Sequence, residues 1–220
     1  KILRKYSSLL GFPSTFTIYD GSDAKNAIKL CIKELQLDEK IYKPNVVLSR
    51  ISAAKNNLVT AEAYMNNHVA IQNDMKSGKG KICEVYRLYA KKCKTDSVMD
   101  FDDFLLYMNI LLRDFPEVTS ELRSQISHIL VDEYQDTNMA QYHIVKKIAQ
   151  ESRNITVVGD DSQSIYAFRG ARIQNILNFK KDYPEAKEFR LEQNYRSTQM
   201  IVNAANSVIV HNSNRLKKDC

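Results

Sequence analysis

Two short apolar runs break into carboxylates at the same end, and no other feature of the chain constrains its fold as much. His128-Ile129-Leu130-Val131 leads into Asp132-Glu133-Tyr134-Gln135-Asp136-Thr137-Asn138. Ile155-Thr156-Val157-Val158 leads into Gly159-Asp160-Asp161-Ser162-Gln163-Ser164-Ile165-Tyr166. Runs this short and this rich in β-branched residues read as neighbouring buried parallel strands. In open α/β sheets, ligands bind at the carboxyl ends of such strands. An Asp-Glu pair at that edge suits phosphoryl transfer, because Asp132 can reach a Mg²⁺ ion and Glu133 can orient or deprotonate a water. One acidic turn after a strand is commonplace. Two on consecutive strands favour chemistry over surface decoration.

The strands sit in a wider alternation. A strand to Val131 is followed by a helix from about Met139 to Ala149, a strand from Ile155 to Val158 and a helix from about Arg172 to Phe179. A strand from Ala186 to Leu191 and a helix from about Thr198 to Val210 come next. This order predicts right-handed βαβ units around a parallel sheet. Up to about residue 95 there is almost no strand signal. Ser22 or Asp23 can cap a helix carrying Ile28, Cys31, Ile32 and Leu35 at helical spacing. Ala53 to Met65 and Ile82 to Cys93 also read as helices, with Ser77-Gly78-Lys79-Gly80 as a break between helical pieces. Phe101, Phe104, Leu105, Met108, Leu111 and Leu112 make an amphipathic helix that Pro116 ends. The chain starts without Met and both ends fall in or beside helix-like patterns, so both are expected to lie inside a longer protein.

A chain of 220 residues can bury a proper core, and 44% hydrophobic with 26% charged residues is ordinary for a globular protein. No run approaches the roughly 18 apolar residues that span a bilayer, and no secretion signal is visible. Cys31, Cys83, Cys93 and Cys220 lack paired metal-ligand spacing, so free thiols in the cytoplasm are expected. The four histidines are scattered and form no metal constellation. The net charge of +6 is concentrated: Lys76, Lys79, Lys81, Arg87, Lys91, Lys92 and Lys94 face a single acid, Glu84, between residues 76 and 94. Such clustering fits a polyanion, with nucleic acid the obvious candidate, although a charge run is more often a solvated helix face. Ser77-Gly78-Lys79-Gly80-Lys81 is not a phosphate loop. Asn73 stands where the motif needs a glycine and Gly80 where it needs a Ser or Thr after the lysine, and no apolar strand precedes it.

These segments resemble superfamily 1 DNA helicases of the UvrD/Rep/PcrA type. Val131 to Asn138 resembles their Walker B segment, Val158 to Ala171 (VGDDSQSIYAFRGA) their third motif and Leu191 to Ser197 (LEQNYRS) their fourth. Asp100-Phe101-Asp102-Asp103-Phe104-Leu105 and, more weakly, Ile51-Ser52-Ala53-Ala54-Lys55-Asn56 resemble further family segments, so the likeness extends over essentially the whole chain. It implies a partial RecA-like parallel sheet of the P-loop NTPase class with an inserted all-α domain. Residues 1–95 would be the insert, 96–185 the C-terminal part of the first motor domain and 186–220 the start of the second. It implies ATP and Mg²⁺ as cofactors. Asp132 would hold the metal largely through water, Glu133 would be the catalytic base, and Gln163 would sense the γ-phosphate and the attacking water. Tyr195 would stack on adenine and Arg196 would reach the γ-phosphate. Tyr166, Phe168 and Arg169 would lie toward single-stranded DNA, and Lys79, Lys81, Lys91 and Lys92 would add salt-sensitive DNA affinity. Each has a plainer alternative: Tyr166 and Phe168 as core aromatics, Arg169 as an ion-pair partner of the acidic segment, Tyr195-Arg196 as an ordinary strand end.

Two departures stand out. Phe168 occupies a position where many relatives carry Trp, and Ser162 one where they often carry an acid. The phosphate loop and the other early and late motifs of the family are missing, so these 220 residues alone are expected not to turn over ATP. The full protein is expected to be a 3′–5′ ATP-dependent DNA helicase acting on single strands and single/double-strand junctions, in the cytoplasm, with repair or replication proteins as possible partners. A helicase subunit of a helicase-nuclease and a non-catalytic DNA-binding or assembly module are the alternatives.

Overall fold

The computed structural model describes residues 1–191, 193–209 and 211, and the side chain of Arg169 lies outside that description. By packing, the chain divides into two compact units. One comprises residues 1–127 and 138–152; the other comprises residues 128–137 and 153–220.

The first unit is mostly helical. It contains α1 (Ile2–Lys5), β1 (Thr17–Tyr19), α2 (Gly21–Glu34), α3 (Pro44–Asn56), α4 (Ala61–Met65) and α5 (His68–Lys76). It continues through α6 (Ile82–Thr95), β2 (Val98–Asp100), α7 (Phe101–Asp114) and α8 (Pro116–Gln125), and it also holds α9 (Met139–Ala149). In α2 the apolar residues Ala24, Ile28, Cys31 and Ile32 recur every three or four positions and are all buried. Its cap is Asp20, neither Ser22 nor Asp23. The Asp20 carboxylate accepts from the backbone N–H of Ser22 (2.7 Å) and Asp23 (2.8 Å), while Asp23 accepts from Asp20 N–H. The single helix expected over Ala53–Met65 is two helices. Pro44 opens α3, where its missing N–H costs nothing. Leu58 then turns left-handed at φ 61°, and Thr60 caps α4. Val47 and Ile51 of α3 meet Val85, Tyr86 and Tyr89 of α6 in the main core.

β1 pairs in parallel with β2, Ile18 opposite Met99. The pattern predicted no strand near residue 17, because three residues are too few to establish a period. Asp100 ends β2 and caps α7, with Asp103 completing the capping box. The Lys55 side chain, 2% exposed, places its Nζ 2.6 Å from Asp100 Oδ2 and 2.7 Å from Asp103 Oδ1. Tyr89 donates its hydroxyl to Asp100 Oδ2 at 2.8 Å. Burial pulls the Lys55 ammonium down, but the two carboxylates outweigh it and hold it charged. Burial pushes Asp103 up to about 6 against the pull of Lys55. Pro116 does more than follow the end of α7: it opens α8.

The second unit contains β3 (Ile129–Val131), β4 (Ile155–Val157), α10 (Gln174–Leu177), α11 (Phe179–Asp182) and α12 (Gln199–Ile209). β3 and β4 are parallel neighbours, Leu130 opposite Thr156. Burial differs from expectation: Leu130 is 76% exposed, because a two-stranded sheet in this unit has one open face. On the other side Tyr134 packs edge-to-face on Phe179, which stacks on Tyr183. The helix expected over Arg172–Phe179 is divided at Asn178, which ends α10 and starts α11. Ala186–Leu191 forms no strand, since it has no ladder partner among the described residues. α12 falls within the predicted Thr198–Val210, whose last residue lies outside the described ones. No helix among the described residues is long and apolar enough to cross a membrane.

Candidate nucleotide and nucleic-acid site

β3 and β4 deliver their following loops side by side. Val158 N–H donates to Val131 O (2.8 Å), and Tyr134 N–H donates to Val158 O (2.9 Å), continuing the ladder past both strands. Asp132 and Glu133 are exposed at this point. Glu133 has φ 49° and ψ 43°, a left-handed conformation that a side chain with Cβ adopts at a cost. The turn is supported by its own N–H, which donates to Asp132 Oδ1 at 2.9 Å. The other support is Gln135, 1% exposed. Its Nε2 donates to Glu133 Oε2 at 2.6 Å, and its Oε1 accepts from the Asp160 N–H at 3.0 Å.

Asp160 carries the line onward. Its Oδ1 accepts from Ser162 N–H (2.9 Å) and its Oδ2 from Gln163 Nε2 (3.0 Å). A continuous hydrogen-bonded path therefore runs Glu133–Gln135–Asp160–Gln163. It requires Gly159: a Cβ there would meet Gln135 Oε1 at 2.4 Å and Ile176 Cδ1 at 2.9 Å. Sequence reasoning singled out the two ends of this path and missed its middle. The signal available was Gln135 itself, an amide inside an acidic turn, and Gly159 directly after the strand.

The path ends in the wall of a cavity of about 790 Å³, lined by Asp160, Gln163, Asn194, Tyr195, Arg196 and Ile201 among others. Gln163, Tyr195 and Arg196 are thus brought together. Tyr195 is 92% exposed, and the Arg196 N–H donates to Asn194 Oδ1 at 2.9 Å, which fixes the turn before α12. Asp132 and Glu133 do not line the cavity; Glu133 is joined to it only through Gln135 and Asp160. Glu192 lies outside the described residues. Asp136 Oδ1 is buried with no hydrogen-bond partner among the described residues, and burial and the Glu133 charge push the Asp136 carboxyl up.

Tyr166 and Phe168 are exposed, 40% and 78%, with ring centroids 5.9 Å apart and planes 36° from parallel. They are not core residues. Arg169 follows them in the chain, and its side chain lies outside the described part. In the first unit the basic stretch is sorted by ion pairing. Lys81 is bound to Glu84 (2.6 Å) and Lys92 to Glu34 (2.7 Å), and Lys79 donates to Ser77 O. Lys91 and Arg87, one turn apart on α6, are exposed and without an ion-pair partner among the described residues.

A mostly helical chain with small parallel sheets is consistent with a partial α/β RecA-like fold. The chain belongs to the UvrD/REP helicase family, matching the UvrD/REP helicase N-terminal domain over residues 1–184. It is 44% identical over 218 residues to the ATP-dependent DNA helicase PcrA of Leuconostoc citreum, covering 99% of this chain and 28% of that protein. Its identity to the protein of the same name from Staphylococcus epidermidis is also 44%, and to that of Staphylococcus aureus 42%, over 99% of this chain and 29% of each relative. The chain therefore spans less than a third of the length of these curated relatives.

Proposed function

We propose that this chain is the part of an ATP-dependent 3′–5′ DNA helicase that joins nucleotide hydrolysis to grip on single-stranded DNA. Residues 1–95 form the helical insert, 96–185 the C-terminal part of the first motor domain and 186–220 the opening of the second. The substrates are ATP, single strands and single/double-strand junctions, and the setting is DNA repair or replication in the cytoplasm.

The observation that carries this reading is the path from Glu133 through Gln135 and Asp160 to Gln163, in the wall that also holds Tyr195 and Arg196. Glu133 is the base: its Oε2 is held by Gln135, and no described group is bonded to its other oxygen. Gln163 carries an amide that can bond a γ-phosphate oxygen or the attacking water. Arg196 supplies a guanidinium for charge on the transferring phosphoryl group. Tyr195 offers a flat face for adenine. Asp132 fits Mg²⁺, since the metal keeps several waters and needs only one or two carboxylates besides the phosphates, and one Asp132 oxygen is committed to the backbone while the side chain is exposed. When bound, the ion neutralises charge between phosphate oxygens. Tyr166 and Phe168 form the stacking surface for bases.

The test is DNA-stimulated ATP hydrolysis by the longer protein. Glu133→Gln preserves size and hydrogen bonding but removes the base, so turnover falls by roughly 10²–10⁴-fold with ATP binding retained. Near-normal turnover in that variant removes Glu133 from the mechanism.

A further inference from the structure

Asn56 is half-buried at the end of α3 and joins two other helices of the same unit. Its Nδ2 donates to Ser52 O (2.9 Å) and to Asp102 Oδ1 (2.8 Å). Neither partner can donate, so the amide has only one orientation. Its Oδ1 accepts from Asn138 Nδ2 at 2.6 Å. Asn138 is oriented as firmly. Its Oδ1 accepts from the Gln141 N–H (2.9 Å) and Gln141 Oε1 accepts from the Asn138 N–H (2.9 Å), the capping box of α9. Asp102 stands in the first turn of α7. One amide thus ties the end of α3 to the starts of α7 and α9.

Its neighbour cannot do the same. Lys55 is engaged by Asp100 and Asp103, at the junction of β2 and α7, and by the Tyr89 ring of α6. Asn138 directly follows Thr137 in the chain, so the residue that caps α9 is covalently next to the end of the segment bearing Asp132 and Glu133.

From these bonds we infer that Asn56 is a positioning residue: it fixes the first turn of α9 through Asn138, the residue at which the chain leaves the carboxylate segment. This rests on the hydrolytic reading given above.

The experiment uses the longer protein with Asn56→Ala, Asn138→Asp and the double variant. Asp caps a helix as well as Asn does, so Asn138→Asp keeps the cap, removes the donor to Asn56 and sets a carboxylate oxygen against Asn56 Oδ1. Amide hydrogen exchange at Gln141 and Tyr142 speeds up in both single variants. DNA-stimulated kcat falls about fivefold, the worth of one ordinary hydrogen bond, with KM for ATP unchanged. The double variant is no slower than the slower single one, because both substitutions break the same bond. Unchanged exchange in the first turn of α9 overturns the inference. So does a kcat loss that merely tracks a lowered melting temperature, or losses that multiply in the double variant. If the wild type shows no DNA-stimulated hydrolysis, the functional reading fails, and exchange at Gln141 and Tyr142 still decides whether Asn56 pins α9.

Discussion

The two units treat their aromatic residues in opposite ways. In the first, Tyr86 and Tyr89 are 1% and 0% exposed and sit at the centre of a core built from α2, α3 and α6. In the second, Phe168 and Tyr195 are 78% and 92% exposed, beside loops rich in hydrogen-bonding groups. Residue type does not separate these cases, but context does. Tyr86 and Tyr89 fall in step with Ile82, Val85 and Cys93 on one helix face. Phe168 stands in a short 3-10 turn that Gly170 closes at φ 87°, and Tyr195 in a turn held by Asn194. A ring on a helix period is there to be covered. A ring exposed on a turn is available to a ligand.

The contrast can be broken most sharply at Lys55. Lys55→Met removes the cation and leaves Asp100 and Asp103 buried together, which destabilises by about 3–5 kcal/mol. Urea unfolding of the variant measures this, and a loss below about 1 kcal/mol would mean that the first unit is not organised around the buried charge. The second unit responds differently. Phe168→Ala weakens single-strand binding of the longer protein by roughly 1–3 kcal/mol while its melting temperature holds. A core ring would instead cost about 3–5 kcal/mol of stability. The smallest effect concerns the basic stretch. Neutralising Arg87 and Lys91 flattens the slope of log K against log salt by about 0.9 per lost phosphate contact on duplex DNA. Neutralising the ion-paired Lys81 and Lys92 flattens it less. Equal effects would show that the pairs with Glu84 and Glu34 do not compete with DNA.

Much of this is legible in the sequence. α9 spans the predicted Met139–Ala149, and β3 and β4 pair in parallel as their β-branched runs require. Boundaries failed where a single residue decides them: Leu58 at positive φ divided one expected helix, and Asn178 divided another. Ala186–Leu191 has strand-like composition but no neighbour to pair with among the described residues, and composition cannot supply one. For the candidate site, Glu133 came from the acidic pair at the end of its strand, and Gln163, Tyr195 and Arg196 from motif resemblance. Gln135 and Asp160, which link them, needed three-dimensional contacts, because each acts through one amide or one carboxylate aimed across to the next loop. The pairing of Lys92 was equally invisible, since Glu34 is far from it in sequence, whereas Lys81 and Glu84 stand three residues apart.

We propose that the segment from Gly159 to Phe168 links phosphate state to grip on DNA. The direct measurement is the affinity of the longer protein for a single-stranded oligonucleotide, with and without a non-hydrolysable ATP analogue, for wild type and Gln163→Ala. Wild-type affinity should change by about 5–150-fold with nucleotide, the usual range for coupled sites. Gln163→Ala should lose that change while keeping its nucleotide-free affinity, because Phe168 and Tyr166 are untouched. A Gln163→Ala protein whose affinity still responds to the analogue as the wild type does would contradict the account.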